Sequence, residues 1–230
     1  CIKQMIEQST FLFLKELKNN NNRDWFNDNR KVYENARDNF ADFIGELIQD
    51  IQKLDPFITN VTAKNTVFRV FKDVRFSKNK DPYKTYFSAA ISKNGKKSEY
   101  SGYYIHLEPE KKTILASGIW HPQPTVLKSI RNEIAFNLDQ YEKIINEKKF
   151  IYTFGKVSGN KLVRPPKGFD KEHPAVEYLK HKDFVVTHEI EDIEVCSDDF
   201  KSYCIDKFMI VKPFSNFFHG PVFDVIAKEG

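Results

Sequence analysis

Hydrophobic side chains recur every three to four positions in the first quarter of the chain, the period of an amphipathic helix. Phe11, Leu14 and Leu17 predict a first helix over 10–18, with Ser9 as its N-cap. The asparagines at 19–22 end it, because asparagine favours turns and caps over helix interiors. A second helix is predicted from about residue 22 to Pro56, on an apolar stripe of Tyr33, Phe40, Phe43, Leu47, Ile51 and Leu54.

In the middle of the chain the pattern changes to the alternation of apolar and polar positions that is typical of strands. Four runs are predicted as strands: 67–71, 86–92, 100–108 and 113–120. A turn at 109–112 separates the last two, so we expect them to form an antiparallel hairpin.

The C-terminal half contains both patterns. Helices are predicted over 127–138, 141–146, 173–180, 198–211 (with Ser197 as N-cap) and 214–226. A strand is predicted over 184–190, and the stretch 162–169, which contains two prolines and a glycine, is predicted to be irregular.

Strands grouped in the middle of the chain, with helices at its ends, predict an α+β fold rather than a doubly wound one. We expect a central, mostly antiparallel sheet flanked by N-terminal and C-terminal helices, in a single domain over residues 1–230. Within it, the chain is predicted to be helical over 9–55, sheet-rich over 65–120, mixed over 122–190 and helical over 197–228.

Composition excludes several classes of protein. The chain has 230 residues, of which 40% are hydrophobic and 30% charged, the make-up of a globular rather than a disordered protein. No apolar run approaches the roughly 20 residues of a membrane helix, so no membrane partner is expected. The 21 Phe, 10 Tyr and 2 Trp predict a large, aromatic-rich core.

The cysteines and histidines indicate neither a disulfide framework nor a metal site. Cys1, Cys196 and Cys204 are odd in number and lack metal-ligand spacing, so we expect reduced thiols and, by default, a cytoplasmic location. The six histidines are scattered, and no phosphate-binding loop or other cofactor motif occurs, so no cofactor is expected. Because Cys1 stands where a native chain would have Met, we expect a trimmed start rather than a lipid-modified cysteine.

Positive charge is concentrated in residues 69–84, which read R-V-F-K-D-V-R-F-S-K-N-K-D-P-Y-K. This basic segment carries six Lys or Arg and two Asp, whereas the rest of the chain balances 30 basic against 30 acidic residues. Alternation would place Arg69, Phe71 and Asp73 on one strand face and Val70, Lys72 and Val74 on the other. A turn over 77–82 should then expose Lys78 and Lys80.

Such a concentration of charge must meet an anion or be neutralised internally. Arginine offers a rigid fork to a carboxylate or phosphate, and lysine offers a mobile point charge. The predicted ligand-binding residues of the segment are Arg69, Arg75, Lys78, Lys80, Tyr83 and Lys84. Asp73 is the nearest candidate acid–base group. In the alternative interpretation, Arg69 and Arg75 form structural ion pairs and the lysines form a solvated face.

A second polar cluster lies in the bent stretch that follows residue 162. Arg164 and Lys167 are predicted to bind a ligand, and His173 is a further candidate general acid or base near neutral pH. His173 also precedes a proline at a predicted helix start, so capping is the alternative interpretation. His121, in the sequence W-H-P, has the same two interpretations.

The string D-V-R-F-S-K-N-K-D-P-Y-K-T, which begins at Asp73, resembles the hallmark of an uncharacterised family catalogued as domain of unknown function 2461. Pieces at 11–26, 102–107, 116–120, 130–131 and 166–174 resemble the same family, so the resemblance spans about 10–184. The family pattern has Arg and Asp where this chain has Lys72 and Asn79, which removes one carboxylate. The resemblance implies one α+β domain and carries no established activity.

Three functions follow from these features. The first is binding of a phosphate- or carboxylate-bearing small molecule by the basic segment, with or without catalysis. The second is a nucleic-acid-binding module, in which lysines contact phosphates and aromatic rings stack on bases. The third is a structural or interaction protein in which the segment is an internal ion-pair network. Protein partners and self-association stay open.

Overall fold

The computed structural model describes residues 5–73, 75 and 78–229, and it has the α+β fold expected from the sequence. Its helices are α1 Gln8–Asn19, α2 Arg23–Asp28, α3 Arg30–Leu54, α4 Ala63–Thr66, α5 Pro124–Phe136, α6 Leu138–Ile145, α7 Lys148–Phe154, α8 Val176–Leu179, α9 Asp192–Val195, α10 Phe200–Phe217 and α11 His219–Glu229. Its strands are β1 Phe87–Ile91, β2 Gly102–Leu107, β3 Thr113–Ile119 and β4 Phe184–Ile190. They form one antiparallel sheet in the order β1-β2-β3-β4, so strands that follow each other in sequence are neighbours.

The chain divides into two compact units, each assembled from separate segments. The first unit comprises the described parts of Cys1–Lys96, Tyr104–Leu115 and Glu189–Asp206, and the second comprises Lys97–Tyr103, Ala116–His188 and the described part of Lys207–Gly230. The expectation of a single domain over residues 1–230 stays a prediction. Within the described ranges, no helix is both long and apolar enough to cross a bilayer.

Aromatic side chains fill the core of the first unit. Phe13 of α1 and Tyr33 and Phe40 of α3 contact Phe87 of β1, with ring centroids 6.3, 6.5 and 5.6 Å apart. All four rings are buried. The period-3.6 stripe of α3 therefore packs on one face of β1, and the residues of β1 that alternate with Phe87 point to the opposite face.

The second unit has its own aromatic core. Phe214 of α10 lies between Phe150 of α7 and Phe218, with ring centroids 5.5 and 4.9 Å away. Tyr141 of α6 packs against Phe217 at 5.2 Å. The aromatic-rich core predicted from composition is thus present in both units.

Helix boundaries near the N-terminus depart from the predictions at polar residues. The predicted second helix is two helices, because Asn29, with φ −101° and ψ 20°, leaves helical geometry between α2 and α3. Asn22 caps α2 by accepting a hydrogen bond from a backbone N–H of its first turn. Ser9 is not the N-cap of α1, since Glu7 holds that position.

In the C-terminal half, the structure departs from the predictions at several helices, and the short helix α9 has no predicted counterpart. Helix α7 has no counterpart among the predictions, and its N-cap is Glu147, whose carboxylate accepts the Phe150 N–H at 2.9 Å. Helix α10 continues past the predicted end at 211 and contains Pro213, because the burial of Phe214 offsets the backbone hydrogen bond that the proline removes. Only four residues of the predicted helix 173–180 form α8.

Candidate functional site

The basic segment is held by backbone pairing rather than by a continuous strand. The predicted strand 67–71 is reduced to isolated antiparallel bridges, the last of which pairs Phe71 with Tyr83. Beside this bridge the Lys84 N–H donates a hydrogen bond to the Val70 carbonyl at 2.8 Å. The two ends of the segment therefore lie next to each other, although about a dozen residues separate them in sequence.

The side chain of Asn21 pairs with the other edge of Tyr83. Its Nδ2 donates to the Tyr83 carbonyl at 3.0 Å, and its Oδ1 accepts the Tyr83 N–H at 3.1 Å. An amide side chain thus replaces a neighbouring strand and satisfies both backbone groups of one residue. Asn21 thereby fixes the position from which the next residue, Lys84, projects.

Tyr83 and Lys84 point in different directions. The Tyr83 ring is buried and stacks on Phe26, with centroids 3.9 Å apart, so this predicted ligand-binding residue belongs to the aromatic core. Lys84 is half-buried, and its Nζ lies 5.5 Å from the centroid of the Phe68 ring and 5.8 Å from that of Tyr86. The Lys84 ammonium itself therefore lies beside aromatic surface and is partly desolvated.

Lys84 is surrounded by other cations. Burial, followed by the charges of Arg69, Lys72 and Lys96, lowers the pKa of its ammonium group. Lys96, from outside the basic segment, donates from Nζ to the Val67 carbonyl at 2.5 Å. Across the described part of the chain, none of these four residues, which we call the cation cluster, forms a salt bridge.

A histidine–glutamate pair lies next to the cation cluster. His106 Nε2 and Glu108 Oε2 are 2.8 Å apart, and both side chains are less than one-fifth exposed. The Tyr86 ring stacks on the imidazole at a centroid distance of 4.0 Å. The same ring lies 5.8 Å from the Lys84 ammonium. Thr85 also donates to Glu108, at 3.2 Å. Three consecutive residues, 84–86, thus join the cations to the acid–base pair.

The electrostatics of this pair favour an ionised glutamate. Burial raises the pKa of Glu108, but the hydrogen bond and charge of His106 outweigh it, so the pKa lies below its usual value. The second imidazole nitrogen, Nδ1, is 3.5 Å from the Tyr104 hydroxyl. Glu108 thus holds Nε2, and Nδ1 is the imidazole nitrogen that faces the Tyr104 hydroxyl.

The remaining predicted residues of the basic segment lie at the surface. Arg75 is paired with Asp73 through two N–O contacts of 2.6 and 2.9 Å, and both side chains are at least half exposed. Arg75 therefore follows the ion-pair interpretation, and the Arg75 guanidinium lowers the pKa of Asp73. Lys78 and Lys80 are exposed, as the predicted turn requires. Predicted positions 74 and 77 lie outside the described residues.

The second predicted cluster belongs to the second unit. Arg164 and Lys167 are exposed on the loop between α7 and α8. The His173 Nδ1 accepts the Ala175 N–H at 3.1 Å, one residue before α8 begins, and α8 has no side-chain cap, so both interpretations of His173 stay predictions. Arg164, Lys167 and His173 lie in the second unit, whereas the basic segment lies in the first.

Sequence reasoning missed His106, Glu108, Tyr86 and Lys96. The signal for His106 and Glu108 was the alternation in and just after β2, where Tyr103, Ile105 and Leu107 are buried and the residues between them face away from the core. Tyr86 and Lys96 have no such signal in the sequence. Among the residues that the structure describes, no group of three or more His, Cys, Asp or Glu side chains could hold a metal ion.

Fold and site together define an α+β protein whose first unit has the cation cluster, with Lys84 half-buried and Arg69 exposed, beside a histidine–glutamate pair. The chain belongs to the family described as conserved hypothetical protein (DUF2461), whose sequence model matches residues 9–217 and so includes all of these residues. No curated protein and no solved structure matches the chain.

Proposed function

We propose that this protein binds a small molecule bearing a phosphate group at the cation cluster of Arg69, Lys72, Lys84 and Lys96. The observation that carries the proposal is the half-buried Lys84 ammonium, which has three cations near it and no salt-bridge partner within the described residues. Bringing like charges together in a partly desolvated place costs free energy, and an anion bound between them replaces this repulsion with attraction.

A phosphate group suits this cluster better than a carboxylate does. A phosphate monoester carries close to two negative charges at neutral pH and offers three acceptor oxygens, whereas a carboxylate carries one charge and two oxygens. Because the four cations have few acceptors within the protein, they favour the ligand with more negative charge and more acceptor oxygens, which is the phosphate. The rings of Phe68 and Tyr86, which already border the lysines, supply flat apolar surface for the rest of the ligand.

Nucleic acid is the less favoured ligand. A nucleic-acid surface needs cations spread along several phosphates, but outside residues 69–84 the chain is electrically balanced. Arg75 is already paired with Asp73, which removes one cation from such a surface. The cluster is therefore better matched to one or two phosphate groups than to a polymer.

The proposal is tested by titrating inorganic phosphate, pyrophosphate and succinate into the wild type, Lys84→Met and Lys31→Met, with calorimetry and thermal unfolding as readouts. Lys31 is an exposed lysine that does not act on the Lys84 charge, so K31M matches the loss of one charge outside the cluster. We expect the phosphates to raise the wild-type and K31M melting temperatures, and K84M to lose at least tenfold in affinity, about 1.4 kcal/mol.

Without phosphate, K84M should be at least as stable as the wild type, since the substitution removes repulsion and keeps an apolar stem. This separates lost binding from a damaged fold. Equal phosphate affinity in K84M and K31M, or no response of the wild type to any of the anions, contradicts the proposal. Binding of a single-stranded oligonucleotide with a log–log salt slope of about −3, together with no response to free phosphates, would favour the nucleic-acid module instead.

If the bound ligand reacts, the group placed to transfer a proton is His106 rather than Asp73 or His173. Asp73 is paired with Arg75 and the His173 Nδ1 accepts the Ala175 N–H, whereas His106 is held by Glu108 beside the cation cluster. Hydrolysis of p-nitrophenyl phosphate by the wild type, lost in His106→Gln while phosphate affinity stays within about twofold, supports an enzyme. No turnover by the wild type favours a binding module.

A further inference from the structure

The second unit contains a pocket of about 380 Å³ that the proposed function does not use. Pro122, Leu127 and Leu162 give it apolar walls. Leu127 and Arg131 are four residues apart on α5, so they face the same side of that helix and line the pocket together. The volume lies in the range of small-molecule sites in proteins, roughly 300–1,000 Å³.

Arg131 is a half-buried cation that forms no salt bridge with the residues that the structure describes. Its Nη2 donates to the His181 carbonyl at 2.9 Å, but its Nε is buried and has no acceptor. It takes part in no salt bridge within the described ranges, and burial lowers the pKa of its guanidinium group. An uncompensated charge in a partly desolvated place costs free energy, so an anion that reaches the guanidinium group from the pocket would lower that cost.

The nearby carboxylate of Asp183 does not fill that role. It accepts the His121 N–H at 2.8 Å, the Asn160 N–H at 3.1 Å and the Asn160 Nδ2 at 2.8 Å, and only 1% of its side chain is exposed. Burial raises the pKa of Asp183, but these hydrogen bonds outweigh it and the pKa is lowered, so the group is ionised. Its function is to fix the pocket wall, including His121, whose backbone is held at φ 51°.

We propose that this pocket binds the carboxylate of a small apolar molecule, with Arg131 as its anchor. Arg131 and Lys182 contribute two positive charges to the lining and Asp183 one negative charge, which leaves a balance suited to a monoanion. The apolar walls match a hydrocarbon body. Trp120, whose ring lies 4.6 Å from that of His121, has 73% of its side chain exposed and adds apolar surface beside the pocket.

The test is a nuclear magnetic resonance titration of the arginine Nε–Hε signals with hexanoate, compared with hexan-1-ol and inorganic phosphate. The Arg131 signal is assigned from its loss in Arg131→Lys, which keeps the charge and removes the fork. We expect hexanoate to shift this signal saturably in the wild type and in K84M, and Arg131→Gln to bind hexanoate at least tenfold more weakly.

Several results would overturn the inference. The inference is wrong if the Arg131 Nε–Hε signal does not shift at a saturating concentration of hexanoate. It is also wrong if hexan-1-ol binds with the same affinity as hexanoate. A response that disappears in K84M would assign the carboxylate to the cation cluster of the first unit. If R131Q does not fold, the wild-type titration and R131K decide alone, because both retain a cation at this position. The outcome is independent of phosphate binding at Lys84.

Discussion

Replacing Asn21 with alanine should weaken the anchoring of the basic segment more than its modest exposure implies. Asn21 donates to the Tyr83 carbonyl at 3.0 Å and accepts the Tyr83 N–H at 3.1 Å, across 62 positions of sequence. The Tyr83 edge that faces Asn21 is opposite the one that pairs with Phe71, so the amide supplies what a neighbouring strand would. Asn21→Ala removes both partners at once.

The magnitude follows from these two hydrogen bonds. Each contributes roughly 1 kcal/mol net, and the groups are part-buried, so water replaces the amide only in part. We therefore expect Asn21→Ala to reduce the free energy of unfolding by about 2 kcal/mol. For a chain of this length, that corresponds to a fall in melting temperature of roughly 4–8 °C.

Asn20→Ala is the matched control. The Asn20 side chain donates a single hydrogen bond, to the Glu16 carbonyl at the end of α1, so its loss should cost less than half as much. Urea unfolding measures both variants, and hydrogen exchange reports on the Tyr83 amide directly. Equal destabilisation by the two substitutions, or an unchanged exchange rate at Tyr83 in N21A, would refute the role assigned to Asn21.

Three further predictions concern other parts of the molecule. Gly118→Ala should destabilise by more than about 3 kcal/mol in urea unfolding, since φ is +126° and a Cβ would overlap a carbonyl of β4, whereas Gly45→Ala in α3 has open space and should gain roughly 0.5–1 kcal/mol. Because the pKa of Glu108 is lowered in the folded state, its stabilising contribution is complete above pH about 4.5 and is lost as the pH falls through the folded-state pKa. Glu108→Gln should therefore reduce the loss of stability at acid pH. If stability falls equally at acid pH in both proteins, the pairing of Glu108 is contradicted. Cys204 is fully buried and burial raises its pKa, so peptide mapping after native alkylation should find it unmodified while Cys196 reacts; equal labelling would contradict that burial.

The alternation of apolar and polar residues predicted the strands of the sheet, because it can be read from each segment alone. The strand 184–190 was predicted with the bounds that β4 has, and the runs at 100–108 and 113–120 contain β2 and β3. Both are signalled by side chains that alternate between core and surface, a property readable from one segment alone. The turn between β2 and β3 was also predicted from its own residues, although in the structure the Glu110 and Lys111 N–H groups donate to the distant Asp192 carboxylate at 3.0 and 2.9 Å.

The sequence could not predict which distant residues meet. Lys96 joins Lys84 because Lys96 bonds the Val67 carbonyl and Val67 bridges to β1, and neither contact has a local signature. Asn21 reads as one of several asparagines that end a helix, although its side chain pairs with a backbone 62 positions away. The break at Asn29 was missed because Phe26 and Tyr33 are seven positions apart, the spacing of two helical turns, so the apolar pattern gives no sign of it.

The number of positive charges in residues 69–84 indicates the candidate site less well than the position that each charged side chain takes in the fold. Arg75 is neutralised by its neighbour Asp73, and Lys78 and Lys80 face solvent, where screening weakens their fields. Lys84 is different, because the pairing of its own N–H holds it against aromatic surface with other cations nearby. A charge in that position raises the free energy of the ligand-free fold, which is why we propose the anion site there. Within the basic segment, the proposal therefore rests on the half-buried Lys84 rather than on the exposed cations that contribute most of the charge.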